Sequence, residues 1–219
     1  MSMPEPQLLA PAESVPNRPF TDTGHITGDF IVLDQIRATL LDTVRALPVD
    51  PPPGTIFHPP ESDGRTHRIV VLNRLGLLRD EPLALVGFFG QRRIDADPAA
   101  LQGLDAELID ELRSHQAMLS YSSRELPCGG WANLVLLADP QGVRRWRESA
   151  RHAFAVSQIA PHYYATIRIH NGALPSGLAS PALVHTRTLY YDFGDSIWWQ
   201  AVRPAQQAAQ GPHPPIPAP

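Results

Sequence analysis

The chain has 219 residues, of which 43% are hydrophobic, so it can bury one sizeable core. Its net charge is -4 and all 18 of its basic residues are arginine, which leaves no electrostatic support for nucleic-acid binding and excludes a Schiff-base lysine. The single cysteine, Cys128, excludes an internal disulfide and a cysteine-based zinc site.

Neither a membrane span nor a secretory signal is evident in the sequence. No apolar run approaches the ~20 residues that a membrane-spanning helix needs. The first twenty residues are rich in proline and lack the apolar stretch of a secretory signal. We therefore expect a cytoplasmic protein without a membrane partner.

Proline and composition divide the chain into five parts. Residues 1–25 and 204–219 are poor in core-forming side chains and are predicted to be disordered. Residues 26–47 are predicted to form an amphipathic helix, because apolar residues recur there at spacings of three and four. Residues 48–66 form a Pro/Gly linker, and residues 67–203 are predicted to form the folded domain.

The order of predicted elements between residues 83 and 170 is β-α-β-β-α-β. Both helices begin at an Asp-Pro pair, at Asp97 and at Asp139, where aspartate caps the helix and proline suits its first turn. This order is typical of a ferredoxin-like α+β fold, with two helices on one face of an antiparallel sheet. The other face would be open, so we expect a second copy to cover it in a homodimer. Two further strands, over residues 183–193 and 197–202, predict a C-terminal hairpin.

The stretch from residue 133 to residue 152 resembles antibiotic biosynthesis monooxygenase-like proteins of the dimeric α/β-barrel superfamily. Members often carry Trp-x-x-Ser-x-x-His on a helix after a strand, and Trp146, Ser149 and His152 match that pattern. The resemblance implies two ferredoxin-like sheets that close into a barrel around small-molecule pockets. It also implies several alternative roles: cofactor-free oxygenation of aromatic compounds, haem chemistry with a histidine ligand, or no catalysis.

One predicted strand carries ionisable side chains on a single face. In Thr166-Ile-Arg-Ile-His170, Arg168 and His170 alternate with two isoleucines. Arg168 would hold a carboxylate or enolate, His170 would act as general base, and Asn133 on another strand would bind the developing oxyanion. Alternatively, this face is merely solvated or lies in a dimer interface. The predicted substrate-binding residues are Tyr121, Ser122, Trp146 and Tyr163.

Three functions follow from these residues. The leading hypothesis is a small-molecule-binding protein, either a cofactor-independent monooxygenase or a related enzyme, that acts on an aromatic or polyketide-like compound. The first alternative is a haem protein with His152 as the axial iron ligand. The second is a non-catalytic dimerisation or ligand-sensing module.

Replacement of Arg168 distinguishes a ligand site from a structural ion pair. If Arg168 holds a ligand, Arg168→Leu should abolish binding and leave folding nearly intact. If it belongs to an ion pair, the same change should destabilise the protein by several kcal/mol through the orphaned partner.

Overall fold

The computed structural model describes residues 5–97, 110–149, 154–194 and 198–205, which contain one nine-stranded sheet. The strands are β1 (Gln7–Leu8), β2 (Thr55–Phe57), β3 (His67–Val71), β4 (Leu83–Arg92), β5 (Met118–Glu125), β6 (Trp131–Leu137), β7 (Tyr164–Leu174), β8 (Val184–Asp192) and β9 (Trp199–Pro204). Their order across the sheet is β1-β9-β8-β7-β4-β6-β5-β3-β2. All neighbours are antiparallel except β1 and β9, so the sheet is mixed.

Helices cover both faces of this sheet. They are α1 (Thr23–Ala46), α2 (Arg74–Leu77), α3 (Pro140–Arg147) and α4 (Ala160–Tyr163). A π-helical turn, Ala155–Ile159, precedes α4, and residues 110–114 are also helical. Among the described residues, no helix is both long enough and apolar enough to cross a membrane.

The prediction of a ferredoxin-like βαββαβ domain that pairs into a barrel is wrong. Strands β4 to β7 do lie side by side in the order β7-β4-β6-β5, but they are only the middle of the sheet. Strands β3 and β2 extend it on one side, and β8, β9 and β1 extend it on the other. Because β1 and β2 come from the predicted N-terminal tail and linker, residues 67–203 do not form a separate domain.

The face that was predicted to be open is covered by α1, and we call it the α1 face. Leu33, Ile36, Leu40 and Val44 of α1 are fully buried in one core cluster with residues of β3 to β6. Burial of each is worth roughly 1.5–3 kcal/mol. A Cβ on Gly87 would lie 2.5 Å from Leu33 Cδ1, so glycine at this position lets the helix approach the sheet closely. The sheet therefore needs no second copy as a cover, and the homodimer stays a prediction.

The opposite face, which we call the α3 face, has its own apolar core. Val70, Val86, Met118 and Val135 of the sheet pack there with Trp146 of α3. Trp146, which was predicted to bind substrate, is thus buried between its helix and the sheet. The helix α3 ends at Arg147, and Phe154 beyond it is 56% exposed.

The N-terminal segment is ordered where the structure describes it. Leu9 is only 1% exposed and packs with Tyr190 and Ala201 on the outer strands. Arg203 donates hydrogen bonds to the carbonyl oxygens of Glu13 and Thr21. The prediction of disorder over residues 1–25 is therefore wrong for residues 5–22, because β1 pairs with β9 and the side chains of Leu9 and Thr21 are buried. Residues 206–219, most of the predicted disordered tail, lie outside the described part of the chain.

The N-cap of α3 provides a test of local stability. Asp139 Oδ1 accepts a hydrogen bond from the Gly142 backbone N–H at 2.7 Å, and Pro140 occupies the first turn. Asp139→Ala removes this acceptor, so we expect the free energy of unfolding to fall by about 1 kcal/mol in urea denaturation. Asp139→Ser, which can still cap, should lose much less. Equal losses for the two variants would contradict a capping role.

Candidate functional site

The predicted site residues lie on two different faces of the sheet. In the ladders of β4, Phe88 pairs with both Asn133 and Ile169, whereas Phe89 pairs with Arg168. Directly paired residues share a face, so Asn133 lies on the opposite face from Arg168. The sheet backbone separates the two, and the prediction that Asn133 acts with Arg168 and His170 is wrong in its geometry.

The remaining predicted residues divide in the same way. Ser122 pairs with Ile69 and Leu134, which belong to the α1-face core, so it shares the α1 face with His170. Tyr121 and Trp146 belong to the α3-face core. Tyr163 ends α4, and its ring lies 4.8 Å from that of Tyr164, which is in contact with Phe88 on the α3 face. One catalytic site that unites all of the predicted residues is therefore not present.

Arg168 and His170 do meet, at a carboxylate of α1. Asp29 Oδ2 accepts from Arg168 Nε at 2.6 Å and from His170 Nε2 at 2.8 Å, and Asp29 Oδ1 accepts from Arg168 Nη2 at 2.9 Å. His170 is fully buried, and the side chains of Asp29 and Arg168 are 9% and 15% exposed. Asp29 accepts from two of the three guanidinium nitrogens of Arg168 and balances its charge, so Arg168 belongs to an ion pair within the protein.

The hydrogen bonds continue from His170 toward the edge of the sheet. His170 Nδ1 lies 2.9 Å from Thr188 Oγ1, and His185 Nε2 lies 2.9 Å from the same oxygen. Since His170 Nε2–H donates to Asp29, a neutral His170 accepts at Nδ1 from the Thr188 hydroxyl. The Thr188 oxygen then accepts from His185 Nε2–H. We call this chain of Asp29, Arg168, His170, Thr188 and His185 the buried relay.

Burial and hydrogen bonding determine which groups of the buried relay are charged. Burial alone raises the pKa of Asp29, but hydrogen bonds from His170 and Arg168 outweigh it and hold the pKa below its ordinary value. Burial lowers the pKa of His170, and its contact with Asp29 opposes this only in part. Burial also lowers the pKa of His185. The relay is therefore an ionised Asp29–Arg168 pair with neutral histidines.

This arrangement restricts what the buried relay can do. His170 has no exposed surface, so it cannot take a proton directly from a substrate as predicted. His185 is half-buried and is the member through which a proton can enter from outside. The main role of the relay is to give hydrogen-bond partners to Asp29, the carboxylate that α1 buries against the sheet.

Sequence reasoning missed Asp29, Thr188 and His185. A signal for Asp29 was present, because it lies four residues before Leu33 on the apolar stripe of α1. A carboxylate on a buried stripe requires a buried cationic or donor partner. Thr188 and His185 had no such signal, since their role depends on the pairing of β7 with β8.

A second buried histidine lies on the α1 face. His67 Nδ1 is 2.8 Å from Glu61 Oε1, and Glu61 Oε2 accepts from Arg124 Nη2 at 2.8 Å. Arg124 also donates to Gln35 of α1. Burial lowers the pKa of His67, with partial opposition from Glu61. This cluster holds α1 to the far side of the sheet.

The α3 face carries a polar group among aromatic rings. Asn133 lies between Phe88 of β4 and Ser123 of β5, and its buried Oδ1 has no hydrogen-bond partner. The Phe88 and Tyr164 rings are 5.2 Å apart. Burial raises the pKa of Tyr164, and Tyr121 and Tyr163 raise it further. We call Phe88, Tyr121, Asn133 and Tyr164 the amide–aromatic surface.

A groove of about 410 Å³ lies apart from both sites, between residues 50–53, the start of α2 and residues 112–116. Its arginines are already occupied. Arg74 donates to the carbonyl oxygens of Val44 and Leu47 and to Asp50. Arg113 donates to the carbonyl oxygen of Pro53 and to Asp110. The guanidinium groups of the groove therefore have few N–H donors left to bind an anion.

The haem alternative depends on His152, which lies outside the described residues. Within the described ranges there is no group of three or more His, Cys, Asp or Glu side chains that could hold a metal ion. Cys128 is exposed and free. The role of His152 as an iron ligand stays a prediction.

Comparisons with protein-family models, with curated proteins and with solved structures found no match to this chain. The resemblance to antibiotic biosynthesis monooxygenase-like proteins therefore rests on the short motif at Trp146, Ser149 and His152 alone.

Proposed function

We propose that the chain binds a small aromatic molecule at the amide–aromatic surface. The observation that carries this proposal is the buried, unpartnered Oδ1 of Asn133. A buried acceptor without a donor costs about 1–3 kcal/mol, which a hydroxyl or N–H group of a ligand would recover. The rings of Phe88 and Tyr164 would contact the flat apolar part of the same ligand.

Binding without catalysis is the reading that this surface supports best. Asn133 is paired with Phe88 and Ser123, and neither of these, nor Tyr121 or Tyr164 on the same face, takes up protons near neutral pH. A cofactor-free oxygenation needs a base to activate its substrate. If the chain is an oxygenase, that base would be His185, which lies on the other face. The non-catalytic, ligand-sensing alternative is therefore our first choice.

Replacement of Asn133 tests the proposal. The ligand pair is 2-naphthol, which has a hydroxyl donor, and 2-methoxynaphthalene, which has none. We expect 2-naphthol to bind the wild-type chain in a fluorescence titration. Asn133→Leu should weaken that binding about tenfold, the value of one net hydrogen bond, and leave binding of 2-methoxynaphthalene nearly unchanged.

Two controls make the result specific to this surface. Asn133→Leu removes an unpaired buried polar group, so the free variant should be at least as stable as the wild type. Ser122→Ala, on the α1 face, should bind 2-naphthol as tightly as the wild type. Failure of the wild type to bind 2-naphthol, or equal binding by Asn133→Leu, would overturn the proposal.

A further inference from the structure

A cluster that is rich in hydrogen-bond donors lies elsewhere on the α3 face. Arg147, the last residue of α3, donates from Nη2 to Asn171 Oδ1 of β7 at 3.1 Å. Arg187 of β8 is paired directly with Asn171, so the two share a face. Tyr191 lies four residues further along β8, on the same side. We call Arg147, Asn171, Arg187 and Tyr191 the arginine cluster.

Arg147 and Arg187 converge on Asn171, which accepts a hydrogen bond from Arg147 and is paired with Arg187 across the β7–β8 ladder. Burial lowers the pKa of Arg147, and the positive charge of Arg187 lowers it further, while Tyr191 opposes this in part. Within residues 5–97, 110–149, 154–194 and 198–205, neither arginine forms an ion pair with a carboxylate. Arg147 is half-buried beside the exposed Arg187, and these residues supply no counterion, so the buried positive charge favours binding of an anion.

The acidic residues nearest in sequence are engaged elsewhere. Glu148 follows Arg147 directly but pairs with Arg144, at 4.0 Å. Asp192 follows Tyr191 but points to the α1 face, where it lies 3.1 Å from Arg18. Neither therefore supplies the missing negative charge.

Asn171 is a second, independent sign of an absent acceptor. Its Nδ2 is buried and has no hydrogen-bond partner. Its Oδ1 already accepts from Arg147, so exchanging the two ends of the amide would set its NH₂ group against a guanidinium donor. An unsatisfied buried donor therefore remains beside two cations in either orientation.

We infer that the arginine cluster binds an oxyanion, either a carboxylate or a phosphate group. Guanidinium groups match the planar and tetrahedral arrangements of these oxygens, and each oxygen has several acceptor positions. Arg147 and Arg187 supply the charge, and Asn171 Nδ2 and the Tyr191 hydroxyl supply two further donors. This inference goes beyond the proposed function, because it requires neither an aromatic ring nor Asn133.

The melting temperature of the full chain in different salts tests the inference. Sodium phosphate and sodium acetate are compared with sodium chloride at matched ionic strength and pH. We expect phosphate, acetate or both to raise Tm by at least about 2 °C over chloride, because a ligand of the folded state stabilises it. A larger shift with phosphate would assign a phosphoryl group, and a larger shift with acetate would assign a carboxylate.

Arg187→Gln distinguishes an anion site from a structural contact. Arg187 is exposed, so the variant should fold. We expect it to lose the anion-dependent shift and to melt at a higher temperature than the wild type in chloride, since the repulsion with Arg147 is gone. Arg144→Gln, on the same helix, should keep the full shift. Equal Tm values in all three salts, a shift that survives in Arg187→Gln, or a lower Tm for Arg187→Gln in chloride would overturn the inference.

Discussion

Asp29→Ala is expected to lower the free energy of unfolding by about 3–5 kcal/mol, the largest effect of any single substitution proposed for this chain. The change leaves the buried Arg168 guanidinium without its bidentate acceptor and His170 Nε2–H without a partner. Urea denaturation at neutral pH measures the loss. Asp34→Ala, on the same helix, is the matched control, because Asp34 pairs with Arg37 at an exposed position and should contribute at most about 1 kcal/mol.

A double replacement distinguishes the net contribution of the ion pair to stability from the destabilisation caused by removing only one partner. Asp29→Leu combined with Arg168→Leu removes both charges together, so no uncompensated charge remains in the core. We expect the double variant to be more stable than Asp29→Leu alone, with a coupling energy of at least about 1 kcal/mol. If the two losses simply add, the pair does not act as a unit. The structure thus places Arg168 in the ion-pair alternative, for which Arg168→Leu alone should also be destabilising.

Acidification is expected to destabilise the protein well above the pH at which carboxylates titrate. Burial lowers the pKa of His170, His185 and His67 in the folded state. In the unfolded state each returns to about 6.5. Below about pH 6.5 the unfolded chain therefore binds protons that the folded chain does not, and the free energy of unfolding falls as pH decreases.

Each buried histidine adds to the slope of the free energy of unfolding against pH. Each contributes up to about 1.4 kcal/mol per pH unit while the pH lies between its folded and unfolded pKa values. Three histidines together give up to about 4 kcal/mol per unit. Urea denaturation at a series of pH values between 8 and about 5 measures it. Asp29, whose pKa is also lowered, adds a further loss only as the pH falls below about 4.

Removal of one buried histidine tests the origin of the slope. His67→Gln should reduce the slope by about a third, because one of the three titrating groups is gone. His58→Gln changes an exposed histidine and should retain the wild-type slope. A free energy of unfolding that stays constant between pH 7 and pH 5 would show that these histidines are not kept neutral by folding.

Patterns within single segments were sufficient to predict several local features. The spacing of Leu33, Ile36, Leu40 and Val44 indicates the buried side of a helix, and those residues are the buried apolar residues of α1. The Asp139-Pro140 pair indicates a helix start, and Asp139 caps α3. The alternation over residues 166–170 shows that Arg168 and His170 share a face, since the side-chain period of a strand is two.

The tertiary structure alone decided how these segments meet. Helical periodicity shows that α1 must bury one side but does not identify its partner, so the sequence was compatible with a second copy over the sheet. The register between neighbouring strands decided that Asn133 lies opposite Arg168 across the sheet backbone. A shift of one residue in that register would have reversed the outcome, because it moves every side chain of a strand to the other face.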